Sequence, residues 1–221
     1  QHPEHGLLPP SEFLPLTEGS ELEIPISEWV IRTALTQMLE WSREGLDLSV
    51  SVNLPARHLQ SDQFAGFIAG TLTEFPPEFH SKLQLEVLET AALGDLQSIS
   101  MKMETCAALG VSFALDDFGT GYASLAYLRR LPTNLIKIDQ SFVGGMLDDP
   151  NDLAIVEAVI GLGEAFSHPV IAEGVETVEH AILLAHLGCR QAQGFGIARP
   201  MPAEAMPGWV ASWQPQASLS S

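Results

Sequence analysis

The sequence predicts an α/β protein whose strands and helices alternate into a (β/α) barrel. Three observations carry this. Short apolar runs suited to strands alternate with helical patterns, and six such strands are visible along the chain. The segments between them are long enough to return each strand parallel to the last. Every strand run also ends, on its C-terminal side, in Asn, Glu, Asp, Lys or Gln. In an open doubly wound sheet a ligand is served by a few strands at one crevice. Six polar strand ends converge on one point only if the sheet curls into a ring.

Bulk properties narrow the function. The 221 residues suffice for one large α/β domain, and an apolar share of 46% provides a core. Residues 1–213 are expected to form that single domain, with a loose polar tail over 214–221. A net charge of −18 argues against a nucleic acid polymer as partner. A small anion stays open if metal ions mediate the contact. Cys106 and Cys189 have neither a disulfide framework nor zinc spacing and read as buried thiols, which fits a reducing cytoplasmic setting. No apolar run reaches the length of a membrane span, since Leu153 to Leu162 is interrupted by Glu157. A tether outside these residues stays open.

Taken in order, residues 1–24 read as irregular, because Gly6, Pro9, Pro10 and Pro15 punctuate them. A helix is expected from Pro25, capped by Ser27, with Val30, Ala34, Met38 and Trp41 on one face and Gly45 as its stop. Leu48–Leu54 alternates as a strand, with Asn53 near its end and Pro55 barring continuation. Phe64, Phe67, Ile68 and Leu72 line the next helix, closed by Pro76 and Pro77. Leu83–Glu89 is a strand with Glu86 and Glu89 near its tip, and a helix over Asp95–Leu109 ends at Gly110.

The run Val111 to Leu115 then ends in Asp116 and Asp117, with a glycine-rich turn directly after them. Two readings fit: an acidic turn, or carboxylates carried on a buried strand to meet a cation. A short helix over Tyr122–Arg130 comes next, and Leu135–Asp139 is a strand bearing Lys137 and Asp139. After Pro150 a longer helix buries Val156, Val159, Ile160 and Phe166. Pro169–Glu176 is a strand tipped by Glu173 and Glu176, and Thr177 caps a helix that stops at Gly188. A last strand over Arg190–Phe195 carries Gln193, and Arg199–Pro202 leads to a terminal helix with Trp209 and Trp213.

The converging set is Asn53, Glu86, Asp116, Asp117, Lys137, Glu173 and Gln193. Its donors are oxygens, with no cluster of His or Cys, which suits Mg²⁺ or Mn²⁺ better than zinc. Adjacent carboxylates with others opposite suit two such ions, which acidify a water and neutralise a phosphodiester. Lys137 would orient the water or offset charge in the transition state. The plainer roles stand beside these: Asn53 as strand terminator, and Asp139, Glu89 and Glu176 as loop braces or helix caps. The seven His residues share no spacing and read as surface or packing residues.

On Ser51–Leu54, Leu85–Glu89, Asp116–Gly121, Lys137–Asp139, Glu173–Glu176 and Gln193–Gly194 with Arg199–Pro200 beyond, the chain resembles the EAL domain, the cyclic di-GMP phosphodiesterase family. The resemblance runs over essentially the whole sequence. It implies a modified TIM (β/α)₈ barrel and hydrolysis of cyclic di-GMP to linear pGpG with Mg²⁺ or Mn²⁺. It implies that Asn53, Glu86, Asp116 and Asp117 hold metals, that Glu173 is a ligand or water partner, and that Lys137 acts on the attacking water. Gln193 would line the site. Glu89 would steady the loop after the Asp116–Asp117 strand, a loop tied to dimerisation, so a homodimer is expected. Glu18 ends a segment, from Pro10, that resembles one presenting a further acid to the site.

The family's Glu-Ala-Leu segment is not among these residues. His2, Pro3 and Gly6 match the family residues just C-terminal to that segment, so its glutamate and the opening strands are expected upstream of Gln1. Leu88 stands where the family has Thr, and Pro55 where it has Ser. Sensory or cyclase domains are expected elsewhere in the polypeptide. Two other functions stay open: a receptor that holds cyclic di-GMP without cutting it, and a protein-interaction scaffold.

Overall fold

The computed structural model describes residues 2–6, 8–88, 95–120 and 125–213, the side chains of 125–127 excepted. Glu89 and the tail 214–221 lie outside the described residues.

Six strands form one sheet: β1 (Val50–Asn53), β2 (Leu83–Leu88), β3 (Ser112–Phe118), β4 (Leu135–Ile138), β5 (Val170–Ala172) and β6 (Gln191–Ala192). They lie side by side in chain order, and every neighbouring pair is parallel. A doubly wound sheet reverses its order at a switch point. Unreversed order with parallel pairing is that of a barrel wall. The architecture is therefore an α/β half-barrel, six consecutive strands of a TIM-type barrel with its helices. Among the described residues, β1 and β6 each keep one edge unpaired.

The strand period of two sorts the residues by face. Val52, Leu83, Leu85, Val87, Phe113, Leu115, Ile136 and Ile138 are buried and pack with the helices in two apolar clusters. The alternate positions form the other face: Ser51 and Asn53 on β1, Gln84 and Glu86 on β2, Ala114 and Asp116 on β3, Lys137 on β4. Register aligns Asn53 with Glu86, and Glu86 with Ala114. The sequence thus builds an apolar outer face and a polar inner one from the same strands.

The helices are α1 (Pro10–Thr17), α2 (Glu23–Arg43), α3 (Ala56–Gln60), α4 (Phe64–Leu72), α5 (Leu96–Ala107), α6 (Leu125–Arg130), α7 (Gln140–Gly145), α8 (Pro150–Phe166), α9 (Val178–His186) and α10 (Met206–Ser212). Several differ from expectation, among them α3, which precedes the expected helix over Phe64–Leu72. Residues 10–17 are helical rather than irregular, because Pro10 occupies the first helical position, where its fixed φ helps and its missing N–H costs nothing. The second helix begins before Ser27: Ser20 Oγ accepts from the Leu22 N–H, and a left-handed Gly19 turns the chain in. Ser27 is then buried mid-helix, with its Oγ 2.8 Å from His58 Nδ1. Finally, Asp139 ends β4 by capping α7, accepting from the Ser141 N–H at 2.9 Å.

Both cysteines are free and buried, and burial pushes the Cys106 thiol up to about 11. No described helix is long and apolar enough to cross a membrane.

Candidate functional site

The C-terminal tips of β2, β3, β4 and β5 bring their polar residues together around Lys137. That lysine sits mid-sheet, 3% exposed, because Ile136 and Ile138 face the helices and the alternation points it inward. Its Nζ lies 2.7 Å from Glu86 Oε2, 3.0 Å from Asp116 Oδ1 and 2.6 Å from Glu173 Oε1. Burial alone would drive its proton off. The hydrogen bonds to Glu173 and Glu86 and the charges of Glu86 and Asp116 outweigh burial, so the pKa stands above the ordinary lysine value. Lys137 is an ammonium ion at neutral pH.

Asp116 and Asp117 would face opposite sides of a regular strand. The structure removes that conflict with a bulge. Leu115 pairs with Ile136, but Phe118 pairs with Ile138, so the register shifts between them. Within the bulge Asp117 takes a left-handed φ of 53°, and its N–H donates to Asp116 Oδ1 at 3.1 Å. Asp substitutes for glycine in this region at modest cost. Thr120, a residue whose role the sequence did not suggest, donates its hydroxyl to the Asp117 carbonyl at 2.8 Å and holds the turn.

Glu173 lies one residue beyond β5, and its N–H donates to the Ile138 carbonyl at 3.1 Å, which docks it against the end of β4. Asp116, Asp117 and Glu173 each bring a carboxylate oxygen within 4.8 Å of the others. The Asn53 carboxamide reaches within 3.2 Å of Asp116 Oδ2 and Glu86 Oε2, donating to them when its nitrogen is turned inward and presenting its oxygen to a cation when flipped the other way.

The electrostatics are unbalanced. One ammonium faces Glu86, Asp116 and Glu173, with Asp117 and Asp139 alongside. Burial, then repulsion from Asp116 and Asp139, a hydrogen bond with Asp139 and the charge of Glu173 push the Asp117 carboxyl up to about 6. The Glu173 carboxyl is also raised. Burial is the main cause, and the nearby Asp116 and Glu86 add to it against the pull of Lys137. A surplus of buried carboxylates, all hard oxygen donors, is a donor set that fits divalent Mg²⁺ or Mn²⁺.

Of the expected residues, Asn53, Glu86, Asp116, Asp117, Lys137 and Glu173 come together, and Asp139 joins them while also capping α7. Glu18 stands exposed at the C-terminal cap of α1, and Glu176 is exposed beyond Glu173. Gln193 docks by its backbone, its N–H donating to the Ala172 carbonyl. With Arg199 and Pro200 it lines a separate cavity of about 410 Å³, walled also by Trp41, Phe195 and Trp209. No sequence pattern pointed to that cavity, because its walls come from opposite ends of the chain.

The profile of the EAL domain family matches residues 1–200. Over 205 residues the chain is 42% identical to the bifunctional diguanylate cyclase/cyclic di-GMP phosphodiesterase MucR of Pseudomonas aeruginosa, covering 92% of this chain and 30% of that protein. It is 35% identical over 210 residues to the cyclic di-GMP phosphodiesterase PA2567 of the same organism, covering 95% and 36%. The chain spans about a third of the length of these relatives. Among solved structures, the PaMucR phosphodiesterase in its c-di-GMP complex superposes with a TM-score of 0.87 at 41% identity, over 93% of this chain and 83% of that one. The EAL domain of Mycobacterium smegmatis DcpA gives 0.78 at 35% identity, over 84% and 83%.

Proposed function

The chain belongs to the EAL domain family, and from that premise we propose that it hydrolyses cyclic di-GMP, opening one of its two phosphodiesters to give linear pGpG. The observation that carries this reading is the buried ammonium of Lys137 held among Glu86, Asp116 and Glu173, with Asp117 folded in beside them. The likeness to the PaMucR phosphodiesterase supports the substrate.

A dianionic nucleotide has no reason to approach this acidic cluster alone. Asn53, Glu86, Asp116, Asp117 and Glu173 would hold two cations, Mg²⁺ or Mn²⁺. When bound, these neutralise the phosphodiester and lower the pKa of a water. The side chains do the rest. Lys137, protonated, donates to the attacking water and offsets charge gathering on the phosphoryl oxygens. Glu173, the most open of its three carboxylate partners at 18% side-chain exposure, receives the water's proton. The water oxygen bonds to phosphorus as the bond to the leaving ribose oxygen breaks, and that oxygen takes a proton from solvent, balancing the one that Glu173 accepts and later returns to solvent. Asp139 restrains Asp117, while Gln193, Arg199 and Pro200 would contact nucleotide that reaches into the cavity they line.

The same reading includes a homodimer formed through the loop after β3, a cytoplasmic setting, and sensory or cyclase domains elsewhere in the polypeptide. The short share of its relatives' length that the chain spans supports the last of these.

Chromatography of cyclic di-GMP incubated with the protein tests the reading. We expect pGpG with Mg²⁺ or Mn²⁺ and none with a chelator. Nucleotide retained intact on the protein, with either cation present, would instead support a receptor.

A further inference from the structure

The two loops that carry the acids rest on the same short helix. Gly119, two residues after Asp117, approaches α7 so closely that a Cβ there would stand 3.0 Å from Phe142 Cε2 and 3.5 Å from Ile155 Cγ2. Gly174, next to Glu173, approaches the start of α7, where a Cβ would stand 2.6 Å from Gln140 Cβ and 3.0 Å from its Cα. Both glycines have positive φ, 104° and 71°, so each loop is bent as well as bare where it meets the helix.

The helix is fixed in turn. Asp139 caps it through the Ser141 N–H, and Val143 and Met146 anchor it in the core. The segment 137–142 therefore meets both acid loops more than once. Lys137 pairs with Asp116 and Glu173, and Asp139 with Asp117, while Gln140 lies under Gly174 and Phe142 under Gly119. A ligand set works only when its members are held to within about half an ångström, and the first turn of α7 supports both loops from beneath.

We infer that Phe142, together with Gln140, is a positioning residue: the first turn of α7 sets the separation of Asp117 from Glu173 and so the geometry of the cation pair. This rests on the two-cation reading of the proposed function. Phe142 acts through Gly119 and offers no ligand atom of its own. Shortening it opens space beneath Gly119 and frees Asp117 to leave its left-handed conformation.

Mn²⁺ titration and electron paramagnetic resonance on the nucleotide-free protein test this. The unmodified protein should show a spin-coupled Mn²⁺ pair. Phe142→Ala should weaken uptake of the second Mn²⁺ about tenfold, the scale for residues that orient ligands from behind, and should lose the coupled signal. It should lower kcat with little change in KM. Phe142→Leu should recover most of both. Phe142→Ala with unaltered Mn²⁺ affinity and an intact coupled signal would overturn the inference, whatever its melting temperature. Should that variant not fold, Gln140→Gly at an exposed position carries the test. A several-fold loss of Mn²⁺ affinity is expected, and unchanged affinity overturns it. An unmodified protein that takes up no Mn²⁺ pair would contradict the two-cation reading itself.

Discussion

Lys137 Nζ and Glu173 Oε1 lie 2.6 Å apart, joining the tip of β4 to the first residue beyond β5. The same ammonium reaches Glu86 on β2 and Asp116 on β3, so one side chain ties four strands at their C-terminal ends. Lys137→Ala would leave three buried carboxylates without their cation. Removing one partner of a buried ion pair costs about 3 kcal/mol or more. Urea denaturation of the cation-free variant should show a loss of that order, partly recovered by Mn²⁺. Turnover should fall more than nucleotide binding. Weakened binding with unchanged kcat would place Lys137 on a substrate phosphate instead.

Asp117 combines a left-handed backbone with a carboxyl pushed up to about 6 by burial and its acidic neighbours. Both features cost stability. Asp117→Gly relieves the first and deletes the second, so the cation-free variant should melt higher, by about 1 kcal/mol in stability, while losing turnover. A lower melting temperature would show that Asp117 is not strained.

Asp116 pairs with Lys137 and belongs to the carboxylate cluster with Asp117 and Glu173 that is proposed to hold cations. Asp116→Asn keeps the shape and can keep the Oδ1 bonds from Lys137 and the Asp117 N–H, but it loses the second acceptor, toward Asn53, and removes a charge from the proposed cation-holding set. With several kcal/mol of stabilisation at stake, turnover should drop by about a thousandfold with an unchanged circular dichroism spectrum. Hydrolysis at the unmodified rate would remove Asp116 from the two-cation assignment.

The strands were legible because outward-facing Val, Leu, Ile and Phe alternate with inward polar residues, and that alternation named Glu86, Asp116 and Lys137. The β3 bulge was not legible. Two adjacent aspartates in a strand look alike whether or not the backbone kinks to put both on one side. Nor was α7, since Gln140–Gly145 is shorter than two helical turns and ends in two glycines, too little for a period to show. Prolines concealed α1, because Pro at a first helical position and Pro in a coil read the same. Gln193 does stand at a strand tip, directly after the two-residue β6, but nothing in the sequence signalled the cavity it lines with Trp41.

His58 tests the core between α2, α3 and α4. It lies edge-on to Phe64, bonded to Ser27, and burial lowers its pKa to about 4. The folded state therefore binds fewer protons than the unfolded chain between about pH 4 and 6.5. The stability this supports is complete above the unfolded pKa and declines as pH falls toward 4. From pH 7 to 5 the unmodified protein should lose about 2 kcal/mol more than His58→Phe does, measured by denaturant midpoints. Equal losses in both would show that His58 is not held neutral.

Hydrolysis in heavy-oxygen water, read by mass spectrometry of the nucleotide product, is the most direct measurement. With Mg²⁺ or Mn²⁺ present, one solvent oxygen should enter the terminal phosphate of pGpG, and Asp116→Asn should yield no labelled product. Cyclic di-GMP recovered unlabelled and uncut from the unmodified protein would contradict hydrolysis at this site.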